Sequence, residues 1–245
     1  MIHLKEASVA AIIPAAGSGR RFGAEQNKLF ATLAGEPLWV HSVRKLQQRP
    51  EIGRIILAVS EQDLTQFQQQ LASVHDVSEG EPRPEWVLGG EERADSVQAA
   101  LQALQGDSNV EWVAVHDAAR PLVTDQDLDK VFAAVPETDA AILAGPVSGT
   151  LKRDLGVGQQ QPTETVDRKN LWIAFTPQVF RRGLLEQAYA KHNGCPATDD
   201  AQLVERVGGN VQLISGSAEN LKITFPEDLS LAEAILSRKN SHVPN

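Results

Sequence analysis

Short, nearly continuous apolar runs alternate along most of the chain with longer stretches of helical periodicity, the pattern of a parallel sheet covered by helices. Residues 9–14, 54–59, 86–88, 112–116 and 140–146 read as buried strands. Between them, 37–48, 62–72, 93–104 and 125–135 read as helices. In the third of these, Ala94, Val97, Leu101 and Leu104 fall at helical spacing just after Gly89-Gly90 ends a strand. Thr124 or Asp125 supplies an N-cap for the fourth. The first apolar run follows Glu6 and is broken by Pro14 and Gly17, so it reads as a strand and not as the core of a leader segment.

After Val147 the rhythm breaks. Residues 148–169 carry Gly149, Gly156, Gly158, the run Gln159-Gln160-Gln161 and Pro162, with little apolar periodicity. An irregular excursion of that length inside a compact domain is usually functional, and a projecting arm is expected here. Helices resume at 177–191 and 199–207, a strand at 211–215 and a last helix at 226–238. No stretch has linker composition, so 1–238 is expected to form a single domain with its arm at about 148–169, followed by a polar tail at 239–245.

Composition narrows the function. A formal net charge of −9 argues against general affinity for nucleic acid or an anionic membrane, so any anionic ligand must meet a local basic cluster. No stretch reaches the roughly 20 apolar residues a membrane helix needs. The lone Cys195 excludes a disulfide framework within the chain and leaves a reducing cytoplasm as the expected compartment. In its Gly194-Cys195-Pro196 setting it reads as an inert thiol.

Three strand-to-helix turns carry the candidate chemistry. Pro14-Ala15-Ala16-Gly17-Ser18-Gly19-Arg20-Arg21-Phe22-Gly23 follows the first strand, and its small residues let backbone N–H groups approach an anion. With Arg20, Arg21 and Lys28 beside it, a polyphosphate is the natural occupant. The glycine spacing differs from the dinucleotide fingerprint, and no Gly-Lys-Ser/Thr follows as a Walker A loop requires. A plain glycine turn with solvated arginines is the competing reading. Gly89-Gly90-Glu91-Glu92-Arg93-Ala94-Asp95-Ser96 offers backbone contact to a flat ligand and a hydroxyl for a base edge, and reads equally well as a capped helix start. In His116-Asp117-Ala118-Ala119-Arg120-Pro121, Asp117 is suited to a divalent cation bridging phosphates and Arg120 to clamping an anionic substrate. The alternative is an internal Asp117–Arg120 ion pair closing the turn; His116 reads as a packed strand-end histidine.

Taken in order, these motifs resemble the 2-C-methyl-D-erythritol 4-phosphate cytidylyltransferase family from about Ala10 to about Ala234. Pro-Ala-Ala-Gly-x-Gly-x-Arg at 14–21 with Lys28 is common to many nucleotidyltransferases, whereas Gly-Gly-x-x-Arg-x-x-Ser-Val at 89–97 and His-Asp-Ala-Ala-Arg-Pro at 116–121 are more specific. Thr165-Val166-Asp167-Arg168, Thr176-Pro177-Gln178, Thr198-Asp199 and Asn220-Leu221-Lys222-Ile223-Thr224 continue the pattern. The resemblance implies an α/β fold, a Rossmann-like, mostly parallel sheet sandwiched by helices, with a projecting dimerisation arm. It implies CTP binding by Pro14, Ala15, Ala16, Gly17, Gly19, Gly90, Glu91 and Ser96. Arg21, Lys28 and Asp117 are the implied catalytic residues, with Asp117 also at the magnesium (or other divalent cation). Arg120, Thr150, Arg168, Thr198 and Lys222 are implied for a small polyol phosphate, in a homodimer whose exchanged arms complete each site. The sequence departs from the family in Asn27 for a frequent proline, Glu91 for aspartate, Asp200 for glutamate, and in the absence of an acidic residue before Thr150. A pentitol-phosphate cytidylyltransferase and a nucleotide-binding module without catalysis are the rival functions.

Overall fold

The first strand, β1 (Val9–Pro14), buries both of its faces: Val9, Ala11 and Ile13 enter one core, Ala10 and Ile12 the other. A computed structural model describes residues 4–17, 27–74, 80–156 and 163–240, the side chains of 239 and 240 excepted. After β1 come a 3₁₀ turn (Lys28–Phe30), a small hairpin of β2 (Thr32–Leu33) and β3 (Glu36–Pro37), α1 (Leu38–Gln47), β4 (Ile52–Val59), α2 (Leu64–Ser73) and β5 (Pro84–Leu88). The chain continues through α3 (Arg93–Gln102), β6 (Trp112–Val115), α4 (Asp125–Thr138) and β7 (Ala140–Pro146). A second hairpin follows, β8 (Leu151–Asp154) and β9 (Thr163–Val166), and then β10 (Trp172–Arg181), α5 (Arg182–Ala190), α6 (Asp200–Arg206), β11 (Gln212–Ser215) and α7 (Pro226–Asn240).

Seven strands form one sheet in the order β11-β7-β10-β6-β1-β4-β5. All its pairings are parallel except those of β10, which runs antiparallel to both β6 and β7. The period-2 alternation of the strands divides the interior into two layers. Leu38, Trp39 and Leu46 of α1, Phe67 of α2 and Leu128, Val131 and Phe132 of α4 cover one face. Val97 and Leu101 of α3, Leu185 and Tyr189 of α5 and Leu203 and Val204 of α6 cover the other. The α/β class with a mostly parallel, helix-sandwiched sheet is thus borne out. From β1 the chain moves outward to β4 and β5, then returns to place β6 on the other side of β1. Loops leaving β1 and β6 therefore diverge, and the crevice between them is where open α/β sheets receive ligands.

The helix expected over 177–191 is corrected. Gln178 to Arg181 pair with β6 and Gln178 to Phe180 with β7, and the helix starts only at Arg182. Val179 and Phe180 are fully buried on opposite faces of the sheet, and helical and strand readings of so short an apolar run cannot be separated by periodicity. Pro177 sits where the register shifts between Ala174 and Gln178, an irregularity that tolerates a residue with no N–H to give. Within 148–169, the irregular excursion resolves into the β8–β9 ladder, stitched by a Lys152 Nζ bond to Thr165 Oγ1 at 2.6 Å and an Arg153–Glu164 ion pair. Its base is closed: Pro146 pairs with Trp172, and the Val147 N–H donates to the Leu171 carbonyl at 3.1 Å. The glutamine run and Pro162, and the tail from 241, lie outside the described residues.

Because Phe180 fills a fully buried position of a central strand, Phe180→Ala is expected to destabilise the protein by about 3–5 kcal/mol. The measurement is the urea midpoint at unchanged m-value; a loss under about 1 kcal/mol would contradict this placement.

Candidate active site

Segments leaving β1, β5 and β6 converge at the carboxyl edge of the sheet around a cavity of about 430 Å³. Pro14, Ala15, Ala16 and Gly17 form one wall, Gly90, Glu91, Arg93 and Ser96 another, and Asp117, Ala118 and Ala119 the floor near β6. Lys28, Lys222 and Thr224 close the rim. A second cavity of about 230 Å³, lined by Arg120, Phe175, Thr176, Gln178, Thr198 and Asp199 among others, shares Arg93, Asp117 and Lys222 with the first.

The walls are as close as their small residues permit. A Cβ on Gly89 would sit 2.5 Å from Ser96 Oγ and 2.7 Å from Ala16 Cβ, so glycine here lets the β5 turn approach the β1 loop. The Ser96 hydroxyl donates to the Glu92 carbonyl at 3.3 Å, and the Glu92 N–H donates to Asp95 Oδ2 at 3.1 Å. Both readings of this turn therefore hold: it caps α3 and it lines the cavity.

Lys28 is held from both ends. Asn27, 7% exposed, accepts the Leu29 N–H on Oδ1 at 3.1 Å and donates through Nδ2 to Asp63 at 2.9 Å, which fixes the start of the 3₁₀ turn. Phe30 anchors that turn against Phe67, with ring centroids 4.7 Å apart. The Lys28 ammonium donates to the Ile223 carbonyl at 2.7 Å.

Asp117 stands at the centre of the charge. Lys222 Nζ lies 2.9 Å from its Oδ2, Arg120 Nε 3.3 Å from Oδ2, and Arg93 Nε 3.5 Å from Oδ1. Burial alone would raise this carboxyl, but Lys222, Arg93 and Arg120 together outweigh it and hold Asp117 below the ordinary carboxylate range. The Asp117–Arg120 ion pair is present, as the structural reading of the turn expects, and it lies inside the charged cluster at the boundary of the cavities. Arg120 also donates to the Asn220 carbonyl at 2.7 Å and stacks over Phe175. Burial, the larger influence, lowers its pKa despite Asp117.

His116 is fully buried and structural. Its Nε2 lies 3.1 Å from the Arg120 carbonyl, which can only accept, so Nε2 carries the proton and Nδ1 accepts from the Thr176 hydroxyl at 3.1 Å. That hydroxyl in turn accepts the Asp117 N–H at 3.0 Å. Burial is the main cause of a His116 pKa lowered to about 4.

Of the residues expected from sequence, Pro14, Ala15, Ala16, Gly17, Lys28, Gly90, Glu91, Ser96, Asp117 and Lys222 line the first cavity. Arg120 and Thr198 line the second. Thr150 and Arg168 line neither; both are exposed, and Arg168 donates to the Ser148 carbonyl at the base of the hairpin. Gly19 and Arg21 lie outside the described residues. Arg93, Thr176, Gln178 and Asn220 were given no site role by sequence reasoning. Each falls in or beside a quoted motif, yet only the fold shows Asn220, wholly buried, donating to the Thr176 carbonyl at 2.8 Å.

Comparison with known proteins identifies the family. Residues 9–238 match the family model for 2-C-methyl-D-erythritol 4-phosphate cytidylyltransferase. The chain belongs to that family. It is 53% identical over 244 residues to the cytidylyltransferase of that name from Rhodopirellula baltica, covering 96% of this chain and 97% of that one. The namesake from Bacillus velezensis is 42% identical over 234 residues, covering 94% and 97%. Among solved structures, the Thermus thermophilus cytidylyltransferase aligns with a TM-score of 0.71 at 31% identity, covering 95% of this chain and all of that one. The 4-diphosphocytidyl-2C-methyl-D-erythritol synthase of Anaerococcus prevotii gives a TM-score of 0.77 at 28% identity, with coverage of 94% and 98%. No helix among the described residues is long and apolar enough to cross a membrane.

The buried His116 predicts a pH dependence of stability. The unfolded imidazole takes up a proton near pH 6.5, whereas the folded one stays neutral down to about 4, so its contribution is complete above 6.5 and lost as pH falls through that window. The loss is roughly 3 kcal/mol across the window. Chemical denaturation at stepped pH should show this slope flattened in His116→Gln, and an imidazole resonance of His116 that titrates near 6.5 would contradict it.

Proposed function

We propose that the larger cavity takes CTP and the smaller one the phosphorylated end of 2-C-methyl-D-erythritol 4-phosphate, so that both substrates meet at Arg93, Asp117 and Lys222. The activity follows from the family: the cytidylyl group passes from CTP to the alcohol phosphate, giving 4-diphosphocytidyl-2-C-methyl-D-erythritol and pyrophosphate. The observation that carries the reading is the pair of adjoining cavities with three shared charged residues.

In this reading the cytosine and ribose lie between Ala15, Ala16 and the Gly90–Glu91–Ser96 turn, and the triphosphate runs toward Gly17, Gly19, Arg21 and Lys28. A phosphate monoester is already nucleophilic at neutral pH, so the 4-phosphate oxygen attacks the α-phosphorus in line while the α–β bridging bond breaks and pyrophosphate leaves with that electron pair. No general base is required, and rate comes from positioning and charge stabilisation. Arg120, Thr198 and Lys222 orient the attacking phosphate, and Lys28 and Arg21 offset charge on the departing pyrophosphate.

Among the described residues no three His, Cys, Asp or Glu side chains gather into a metal cage. Asp117 is the ionised carboxylate that lines both cavities, and it would hold magnesium by exchanging its Lys222 and Arg93 ion pairs for the cation, with substrate phosphate oxygens completing the shell. When bound there, a divalent cation would supply Lewis-acid neutralisation of the triphosphate.

The second-chain contribution belongs to the same proposal. Thr150 and Arg168 sit on the hairpin away from their own chain's cavities, and Leu171, Trp172 and Ile173 beside its base are exposed, Ile173 to 53%. A homodimer exchanging hairpins across a two-fold axis would cover that apolar strip and bring Arg168 to the partner's substrate phosphate.

Lys28→Ala is expected to slow turnover roughly 10²–10³-fold with the fold retained, measured as pyrophosphate release from CTP and methylerythritol phosphate. Near-normal turnover in the folded variant would remove Lys28 from the proposed role. For the dimer, mixing Arg168→Ala with Lys28→Ala subunits should restore activity well above either parent, since one site of each mixed dimer then carries neither lesion. No rescue, with mixed dimers shown to form, would place Arg168 in its own chain's site.

A further inference from the structure

Arg93 is the first residue of α3, where the unpaired N–H groups of the helix disfavour a cation. Two carboxylates offset this, and the nearer one lies outside both cavities. Arg93 Nη1 is 2.7 Å from Asp200 Oδ2, against 3.5 Å from its Nε to Asp117 Oδ1. Asp200 is fully buried at the start of α6, and its Oδ1 accepts the Tyr189 hydroxyl of α5 at 2.5 Å. Burial, reinforced by the Asp200 charge, raises the Tyr189 pKa well above its ordinary value, so the phenol keeps the proton it donates. A chain of contacts thus runs from the α5–α6 core through Asp200 and Arg93 to Asp117. Neither Tyr189 nor Asp200 lines either cavity, whereas Arg93 lines both.

A buried ion pair is weak as a source of stability, because well-packed apolar residues commonly replace one without loss. It is strong as an aiming device. The Arg93–Asp200 contact is an ion pair through one nitrogen, and because a guanidinium is a rigid planar fork, holding that nitrogen restricts where its remaining N–H donors point. We propose that Tyr189 and Asp200 are positioning residues that hold the Arg93 guanidinium at the boundary of the two cavities, where Arg93 meets the phosphate of the nucleotide and that of the incoming alcohol together. This rests on the two-cavity reading above.

The test is a double-mutant cycle on pyrophosphate release, with CTP and methylerythritol phosphate varied separately, using wild type, Tyr189→Phe, Arg93→Lys and the double variant, each with its thermal midpoint recorded. Absence of pyrophosphate release by the wild type would reject the two-cavity reading itself. Given an active wild type, Tyr189→Phe is expected to lower kcat about tenfold, the effect of one hydrogen bond to a charged group, with KM for CTP changed less than about twofold. In the Arg93→Lys background the same substitution should change kcat less than about twofold, because the group it aims is gone. An equal loss in both backgrounds, or a lowered thermal midpoint with kcat intact, overturns the proposal. If Arg93→Lys fails to fold, the same cycle is run with Arg93→Gln, and the same outcomes decide.

Discussion

Asp117 is ionised inside a shell of three cations, and each reaches it from a different part of the chain: Arg120 from its own turn, Arg93 from the start of α3, Lys222 from the segment before α7. Nothing local could assemble that cluster, since residues 93, 117 and 222 are joined only through the finished sheet. Desolvating a carboxylate is tolerable here because the cations surround it, and desolvating the cations is tolerable because of the carboxylate. Lys28 stands beside this cluster, and the cations of the two cavities are matched by Glu91, Glu92 and Asp199 along with Asp117, so the positive groups are concentrated where the cavities meet and not in an overall excess. Such a site is organised before any phosphate arrives, so little reorganisation is left for the substrates to drive.

The backbone around this cluster is held by polar groups that have left water. The Ile223 N–H donates to the Ala119 carbonyl at 2.8 Å, Arg120 reaches the Asn220 carbonyl, and Asn220 reaches that of Thr176. These bonds sew the segment before α7 and the middle of β10 onto the β6 turn. His116 completes the lattice from below, and its neutral state is a packing requirement of the turn it supports. Asn27 does comparable work for Lys28, joining the 3₁₀ turn to Asp63.

How far the sequence foretold this follows from the kind of signal each residue leaves. β1 and β7 were legible to the residue because a strand buried on both faces is a continuous apolar run with abrupt ends, and the small residues that follow β1 mark the ligand edge. β10 was not, because Gln178-Val179-Phe180 beside Pro177 satisfies a helix start as well as a strand, and only pairing with β6 and β7 decides. Lys28, Asp117 and Lys222 stood out as charges in motifs. Tyr189 lies within an ordinary amphipathic helix, where one polar position on an apolar face leaves no mark until the facing helix is known, and Asp200 was visible only as an aspartate beside the Thr198-Asp199 motif, with nothing to show its partners. Thr150 and Arg168 were legible as motif residues, yet a single chain keeps them away from the cavities.

The reversal of β10 has a consequence for how the molecule tolerates change. Because β10 runs against its neighbours, it begins at the edge where the others end, and the chain leaving β7 can re-enter the sheet directly beside its exit. The pairing of Pro146 with Trp172 and the bond from Val147 to Leu171 seal that doorway. The hairpin is therefore joined to the sheet through this closed base, so a change in its length beyond the base leaves the pairing of Pro146 with Trp172 to hold the register of the core strands. The reach of the arm and the precision of the pocket are free to evolve on separate accounts, though they spring from the same edge.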